Sequence, residues 1–242
     1  MKKSLLVFIL LIGIIQINLN AQTTVGGIIS ENTVWTLTNS PYIITDGIVI
    51  LENVSLTIEA GVNVCLDGNY SILVNGELIA LGSKENKIVF TSNQIIKNKG
   101  DWGGIRFTNT SVDAQFDSNG DYINGSLLNN CIVEYAGSDD IRSVYLDQAK
   151  PFIYQCIFRN NNGYAIQLSN NITNYEIKNN IFANNSACIS KFSNYTFANI
   201  IIENNVFINN AISNQYSLFD FFFCNLTFCF SSYNFNGFIS VL

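Results

Sequence analysis

Three stretches of the chain align without a gap: Gln155-Cys156-Ile157-Phe158-Arg159-Asn160-Asn161, Asn179-Asn180-Ile181-Phe182-Ala183-Asn184-Asn185 and Asn204-Asn205-Val206-Phe207-Ile208-Asn209-Asn210. A weaker copy, Asn130-Cys131-Ile132-Val133-Glu134-Tyr135, precedes them. With Ile132, Ile157, Ile181 and Val206 taken as equivalent, the spacings are 25, 24 and 25 residues. Each period is filled by short β-branched runs such as Ile200-Ile201-Ile202, which leave no room for a helix. A period of this length made only of strands and turns is one coil of a parallel β-helix. Such a coil uses about three strands of roughly 3–5 residues, stacked about 4.8 Å from the next.

Alternation along each strand then predicts one inward column of Val133, Phe158, Phe182 and Phe207, stacked as core. Cys131, Cys156, Asn180 and Asn205 fall in a turn column. Asparagine suits that place, because it tolerates a left-handed backbone and its amide can bond the copies above and below. The chain holds 36 asparagines and two prolines in 242 residues, which fits turn ladders and not ordinary helices. A 48% hydrophobic and 12% charged composition excludes intrinsic disorder. In the N-terminal half Val54-Leu56-Ile58, Val62-Val64, Ile72-Val74, Leu78-Ala80 and Ile88-Phe90 alternate, punctuated by Gly61, Gly68, Gly76 and Gly82. The expected fold is all-β, a single-stranded parallel β-helix of about 6–8 coils over residues 45–210, to which the resemblance described below adds a right-handed sense. A polar insertion interrupts it at 108–126, and residues 22–44 are read as an N-terminal cap.

The two ends read differently. Lys2 and Lys3, an apolar run from Ser4 to Ile15 and a terminal Ala21 describe a cleavable signal peptide over 1–21, with the mature chain starting at Gln22. The apolar run is too short for a span of roughly 20 residues. An exported product, secreted or held at the cell surface, is therefore expected. Loss of the two lysines takes the net charge from −6 to −8. That balance argues against nucleic acid, whose binders carry a clustered basic patch. Over 211–242 the repeat stops, and eight of the residues from Gln215 to Leu242 are Phe. This Phe-rich tail reads either as a cap on the last coil or as the aberrant end of a truncated solenoid.

The chemistry is thin. The sequence has no histidine, which removes Ser-His-Asp and Cys-His nucleophile systems and the usual zinc sites. Six cysteines make no CxxC pair. Cys131 and Cys156, one coil apart, are placed either for a disulfide or as buried thiols replacing rungs of an asparagine ladder. Asp117, Asn119 and Asp121 match positions 1, 3 and 5 of a calcium loop, but Tyr122 stands where glycine belongs and Leu128 where glutamate belongs. An ordinary turn is the simpler reading, and no cofactor is required. Several Asn-X-Ser/Thr triplets occur, including those at Asn53, Asn69 and Asn171, as chance supplies with this much asparagine.

One series of motifs is more specific. Glu59-Ala60-Gly61-Val62, Val74-Asn75-Gly76-Glu77-Leu78-Ile79-Ala80-Leu81-Gly82, Ile88-Val89-Phe90-Thr91-Ser92 and Gly100-Asp101-Trp102-Gly103-Gly104-Ile105-Arg106-Phe107 occur in that order. The series resembles the secreted right-handed parallel β-helix proteins of the pectin-lyase-like superfamily, especially multi-repeat surface proteins of Bacteroidetes-type bacteria. The resemblance extends over about residues 24–210 and speaks to fold more than to function. It implies two enzymatic options. A lyase needs calcium and a basic group to take the C5 proton of a uronate, for which Arg142 and Arg159 are the candidates. Arg159, however, shares an outward column with Glu134 one coil away, so a salt bridge explains it more simply. A polygalacturonase-like hydrolase would use the Asp139-Asp140 pair, but its histidine and flanking motifs are missing. The favoured reading is a non-catalytic secreted or surface scaffold that binds glycan or adheres. The alternatives are a polysaccharide lyase on uronate polymers and a truncated fragment without function.

Overall fold

The structure is a computed structural model that describes residues 22–138, 142–169, 171–191 and 198–210, with the strand backbones of 219–221, 224–229 and 239–241. It is an all-β parallel solenoid of about 7 turns. Its strands fall into a 15-stranded and an 8-stranded sheet, every pairing within them parallel. The only helical element among the described residues is the 3-10 turn Leu37–Asn39.

Register fixes what each coil contributes. Tyr42 pairs with Val64, Val64 with Phe90, Phe90 with Val133, Val133 with Phe158, Phe158 with Phe182 and Phe182 with Phe207. The expected column therefore forms and extends toward the N-terminus. Its last three rings stack at centroid distances of 5.2 and 5.0 Å, within 12° and 9° of parallel. The alternating residues of the first half enter the same core: Leu56, Ile58, Val64, Ile72, Val74, Leu78, Ala80 and Phe90 are buried, whereas Val54 is only partly so. One step, Phe90 to Val133, is much longer than the rest because that coil carries the insertion.

The paired asparagines divide two tasks between them. The first of each pair, at 160, 184 and 209 and again at 179 and 204, has φ between 49° and 59°, the left-handed region. Asn130, Gln155 and Tyr135 hold the same positions in neighbouring coils. The second asparagine turns inward and builds a ladder. Backbone N–H groups of Ala136, Asn161 and Asn185 donate to Oδ1 of Asn161, Asn185 and Asn210 at 2.9, 3.1 and 2.9 Å. In return Nδ2 of Asn161, Asn185 and Asn210 donates to the carbonyls of Val133, Phe158 and Phe182 at 3.0, 2.9 and 2.8 Å. A second ladder joins Cys156, Asn180 and Asn205 through N–H to Oδ1 bonds of 2.9 and 2.8 Å. Polar side chains thus satisfy the main chain at corners where no water reaches.

The segment before residue 45 takes part in the ladder: Thr23–Ile29 pairs with Tyr42–Ile50, and Thr33–Trp35 with Ser55–Ile58. The insertion contains an antiparallel pair, Gln115–Phe116 with Tyr122–Asn124. In the Phe-rich tail, Phe219–Phe221 pairs with Ala187–Lys191, and Cys224–Cys229 with Ala198–Glu203. Residues 1–21, read as a signal peptide, lie outside the described residues.

Candidate functional site

The Gly-Gly motif and Arg142 meet on the outer face of the larger sheet. Register places Leu73, Arg106 and Tyr145 side by side on successive coils. The guanidinium carbons of Arg142 and Arg106 lie 4.4 and 5.2 Å from the Tyr145 ring centroid, at cation–π distance. Arg106 Nη2 also donates to Asp147 Oδ2 at 2.6 Å, a half-exposed ion pair. No carboxylate among the described residues stands at ion-pair distance from Arg142. Ser71, Gly103 and Gly104 line the same cleft, of about 250 Å³. The glycines answer to packing: a Cβ on Gly103 would stand 2.0 Å from Ser71 Oγ, and one on Gly104 2.6 Å from the Arg142 carbonyl. Gly104 also has φ +127°, which a side chain resists.

Arg159 stands elsewhere. Its Nε donates to Glu134 Oε2 at 2.6 Å, the pairing expected from the repeat register. Glu134 is buried, and its second oxygen accepts from Thr91 Oγ1 at 2.8 Å, which in turn accepts from Lys97 Nζ at 2.9 Å. Trp102 of the Gly-Asp-Trp motif lies wholly buried beneath and donates Nε1–H to the Glu134 carbonyl at 2.9 Å. A base for proton abstraction needs a free lone pair and access to substrate; Arg159 is instead spent on neutralising a buried carboxylate. Asp139 and Asp140 lie outside the described residues.

The calcium-like loop is a hairpin turn. Asp117 Oδ1 accepts from the backbone N–H groups of Asn119 and Asp121 at 2.8 and 2.9 Å. Those bonds, that from Asp121 first, hold the Asp117 carboxyl below its usual pKa although it is fully exposed. Among the described residues no three acidic or cysteine ligands gather around one point. Cys131 and Cys156 are free, fully buried thiols, and burial pushes the Cys131 thiol far up, helped by its contact with Cys156. Each thiol points at a carbonyl, Cys156 Sγ at Leu128 O (3.2 Å) and Cys131 Sγ at Ala80 O (3.5 Å), where the asparagines of the ladder direct their amides.

Sequence reasoning missed an aromatic cluster on the second sheet. Phe152 and Tyr154 project outward from one strand with ring centroids 5.2 Å apart. Phe116 meets Phe152 edge-on at 5.0 Å, and Tyr122 lies nearly parallel to it at 6.1 Å. Phe152-Ile153-Tyr154 carried the signal, an alternation that buries the aliphatic residue and turns both rings out. The partner rings, lying within the polar insertion, had no periodicity to reveal them.

Residues 27–112 match the family described as pectate-lyase like beta helix domain.

The matched stretch ends at the insertion. Strands beyond it pair in register with strands inside it, Leu127–Asn129 with Glu77–Leu81 and Cys131–Glu134 with Ile88–Ser92, so one solenoid continues through the boundary. No curated protein and no solved structure gives a significant match. Among the described residues no helix is long and apolar enough to cross a membrane.

Proposed function

We propose that the chain is an exported, non-catalytic β-helix scaffold that binds acidic glycan at the Arg142–Tyr145 cleft. The observation that carries this reading is the convergence of two guanidinium groups on one aromatic ring beside an open cleft. A guanidinium presents a planar fork to a carboxylate, and a ring beside it supports the apolar face of a sugar. Uronate polymers combine both features. Coils stacked about 4.8 Å apart extend such a face along the solenoid axis. The rigid parallel scaffold and the signal-like N-terminus agree with display outside the cell, where polymeric glycans occur.

Two features favour binding over turnover. Arg106 is tied to Asp147 and Arg142 is packed on Tyr145, so both guanidiniums are held in fixed positions. The test is titration of the full chain with polygalacturonate. Micromolar binding without unsaturated product, weakened roughly tenfold or more by Arg142→Ala, supports the reading. Equal binding by the variant would sink it. The second reading, a lyase on uronate polymers, draws on the family description and on Arg142 itself. It predicts an ultraviolet-absorbing unsaturated uronate whose formation requires calcium and Arg142.

A further inference from the structure

The hairpin of the insertion leans over the second sheet and leaves beside it a groove of about 510 Å³, the size of a small-ligand site. Phe116 forms one wall from the hairpin side, 44% exposed. Phe152, Tyr154 and Pro151 form the other from the coil. The wall is set before any ligand arrives. Ala114 N–H donates to the Lys150 carbonyl (3.0 Å), Lys150 N–H to Asp113 Oδ1 (2.7 Å) and Gly125 N–H to Glu77 Oε1 (2.9 Å). Together with the Asp117 turn these bonds fix the hairpin to the coil at both ends, so little ordering cost remains for binding.

Charge decides what the groove suits. Lys150, Lys178 and Glu176 line it, and Glu203 stands on the next coil in register with Lys178. Lys178 Nζ is held between Glu176 Oε2 at 3.0 Å and Glu203 Oε2 at 3.2 Å, and the Glu176 contact leads in raising its pKa. Lys178 is already paired with two carboxylates, and the hairpin above carries Asp113, Asp117 and Asp121 beside Lys150, so the rim offers donors and acceptors without a net positive field. An acidic polymer gains nothing there, and a lipid chain would cover charged groups without pairing them. A neutral pyranose fits both parts: its C–H face lies on rings, and its hydroxyls meet the rim.

We propose that this groove is a binding site for neutral pyranose oligosaccharides, a second ligand class on a different sheet from the Arg142 cleft. The proposal rests on the reading of the solenoid as a glycan-binding scaffold, not on the Arg142 cleft.

Calorimetric titration of the full chain with cellohexaose, xylohexaose, mannohexaose and hexagalacturonate tests it. At least one neutral oligosaccharide is expected to bind, and Tyr154→Ala and Phe116→Ala each to weaken it by about tenfold or more. Phe116 stands on the hairpin, outside the solenoid core, so an unchanged thermal midpoint for Phe116→Ala separates lost binding from lost folding. Failure of all three neutral ligands, or binding indifferent to both substitutions, overturns the groove. Hexagalacturonate reports the other cleft: binding that depends on Arg142 while neutral ligands fail removes this proposal and leaves the first reading standing. The reverse pattern removes the first reading and supports the groove.

Discussion

Replacing Asn185 by alanine removes a side chain whose every hydrogen-bonding group is used. Its Oδ1 accepts from Asn161 N (3.1 Å) and Asn161 Nδ2 (2.9 Å). Its Nδ2 donates to Phe158 O (2.9 Å) and Asn210 Oδ1 (3.0 Å). Asn161 Nδ2 keeps a bond to Val133 O, and Asn210 Oδ1 keeps one from Asn185 N. The Asn161 N–H is left without a partner, whereas the Phe158 carbonyl, which lies in the strand ladder with Ile181–Ala183, loses its second bond. A buried polar group stranded in this way costs about 1–3 kcal/mol. Asn185 and Asn161 are fully buried, so water offers little rescue. With about 1 kcal/mol for the lost second bond, the expected loss is about 2–4 kcal/mol, a large share of the roughly 5–15 kcal/mol that holds a domain folded. Asn184→Gly is the control, because Asn184 occupies the left-handed region at φ 55° and glycine fits there; its effect should stay within about 1 kcal/mol. Urea denaturation, with native-state hydrogen exchange to separate coils that open independently, gives both values. A loss for Asn185→Ala no larger than for Asn184→Gly would refute the ladder as a source of stability.

Other consequences can be checked alongside. Arg159→Ala should destabilise by about 1–3 kcal/mol, since it leaves the buried Glu134 carboxylate with only Thr91, and Glu134→Gln in the same background should restore part of the loss. A double-mutant cycle in urea reads the coupling. Cys156→Asn should raise stability by about 0.5–1.5 kcal/mol by adding an amide that reaches Leu128 O; a drop in the urea midpoint would count against the thiol as a stand-in rung. For Asp117 the folded pKa is depressed, so its stabilisation of the hairpin is present above the ordinary carboxylate pKa and lost as pH falls through the lowered one. Amide exchange at Asn119 and Asp121 should accelerate over that acid range, and Asp117→Asn should remove most of the pH dependence.

The solenoid was legible because one 24–25-residue repeat specifies strands, turns and inward columns together, and the burial of Phe158, Phe182 and Phe207 follows from it. The Glu134–Arg159 pair was legible for the same reason, being a matter of register alone. The split between paired asparagines was not. Sequence shows that Asn suits a corner, but which residue takes the left-handed backbone and which turns inward is settled by coil stacking. The cleft was half visible: Arg142 was a candidate base through the resemblance, whereas Arg106 entered only as part of the Gly-Gly motif and Tyr145 drew no notice. Their meeting depends on the long coil that carries residues 108–126, whose length breaks the period and hides the register. The aromatic groove was hidden further, because it joins an aperiodic hairpin to a periodic strand.

The proposed role of the Arg142–Tyr145 cleft is to bind acidic glycan without cleaving it. Incubating the full chain with polygalacturonate and calcium, while following binding and the ultraviolet absorbance of unsaturated uronate in one sample, tests this most directly. Saturable binding, lost in Arg142→Ala, is expected, with absorbance at the level of the protein-free control. Steady growth of absorbance that disappears in Arg142→Ala would contradict it and establish a lyase.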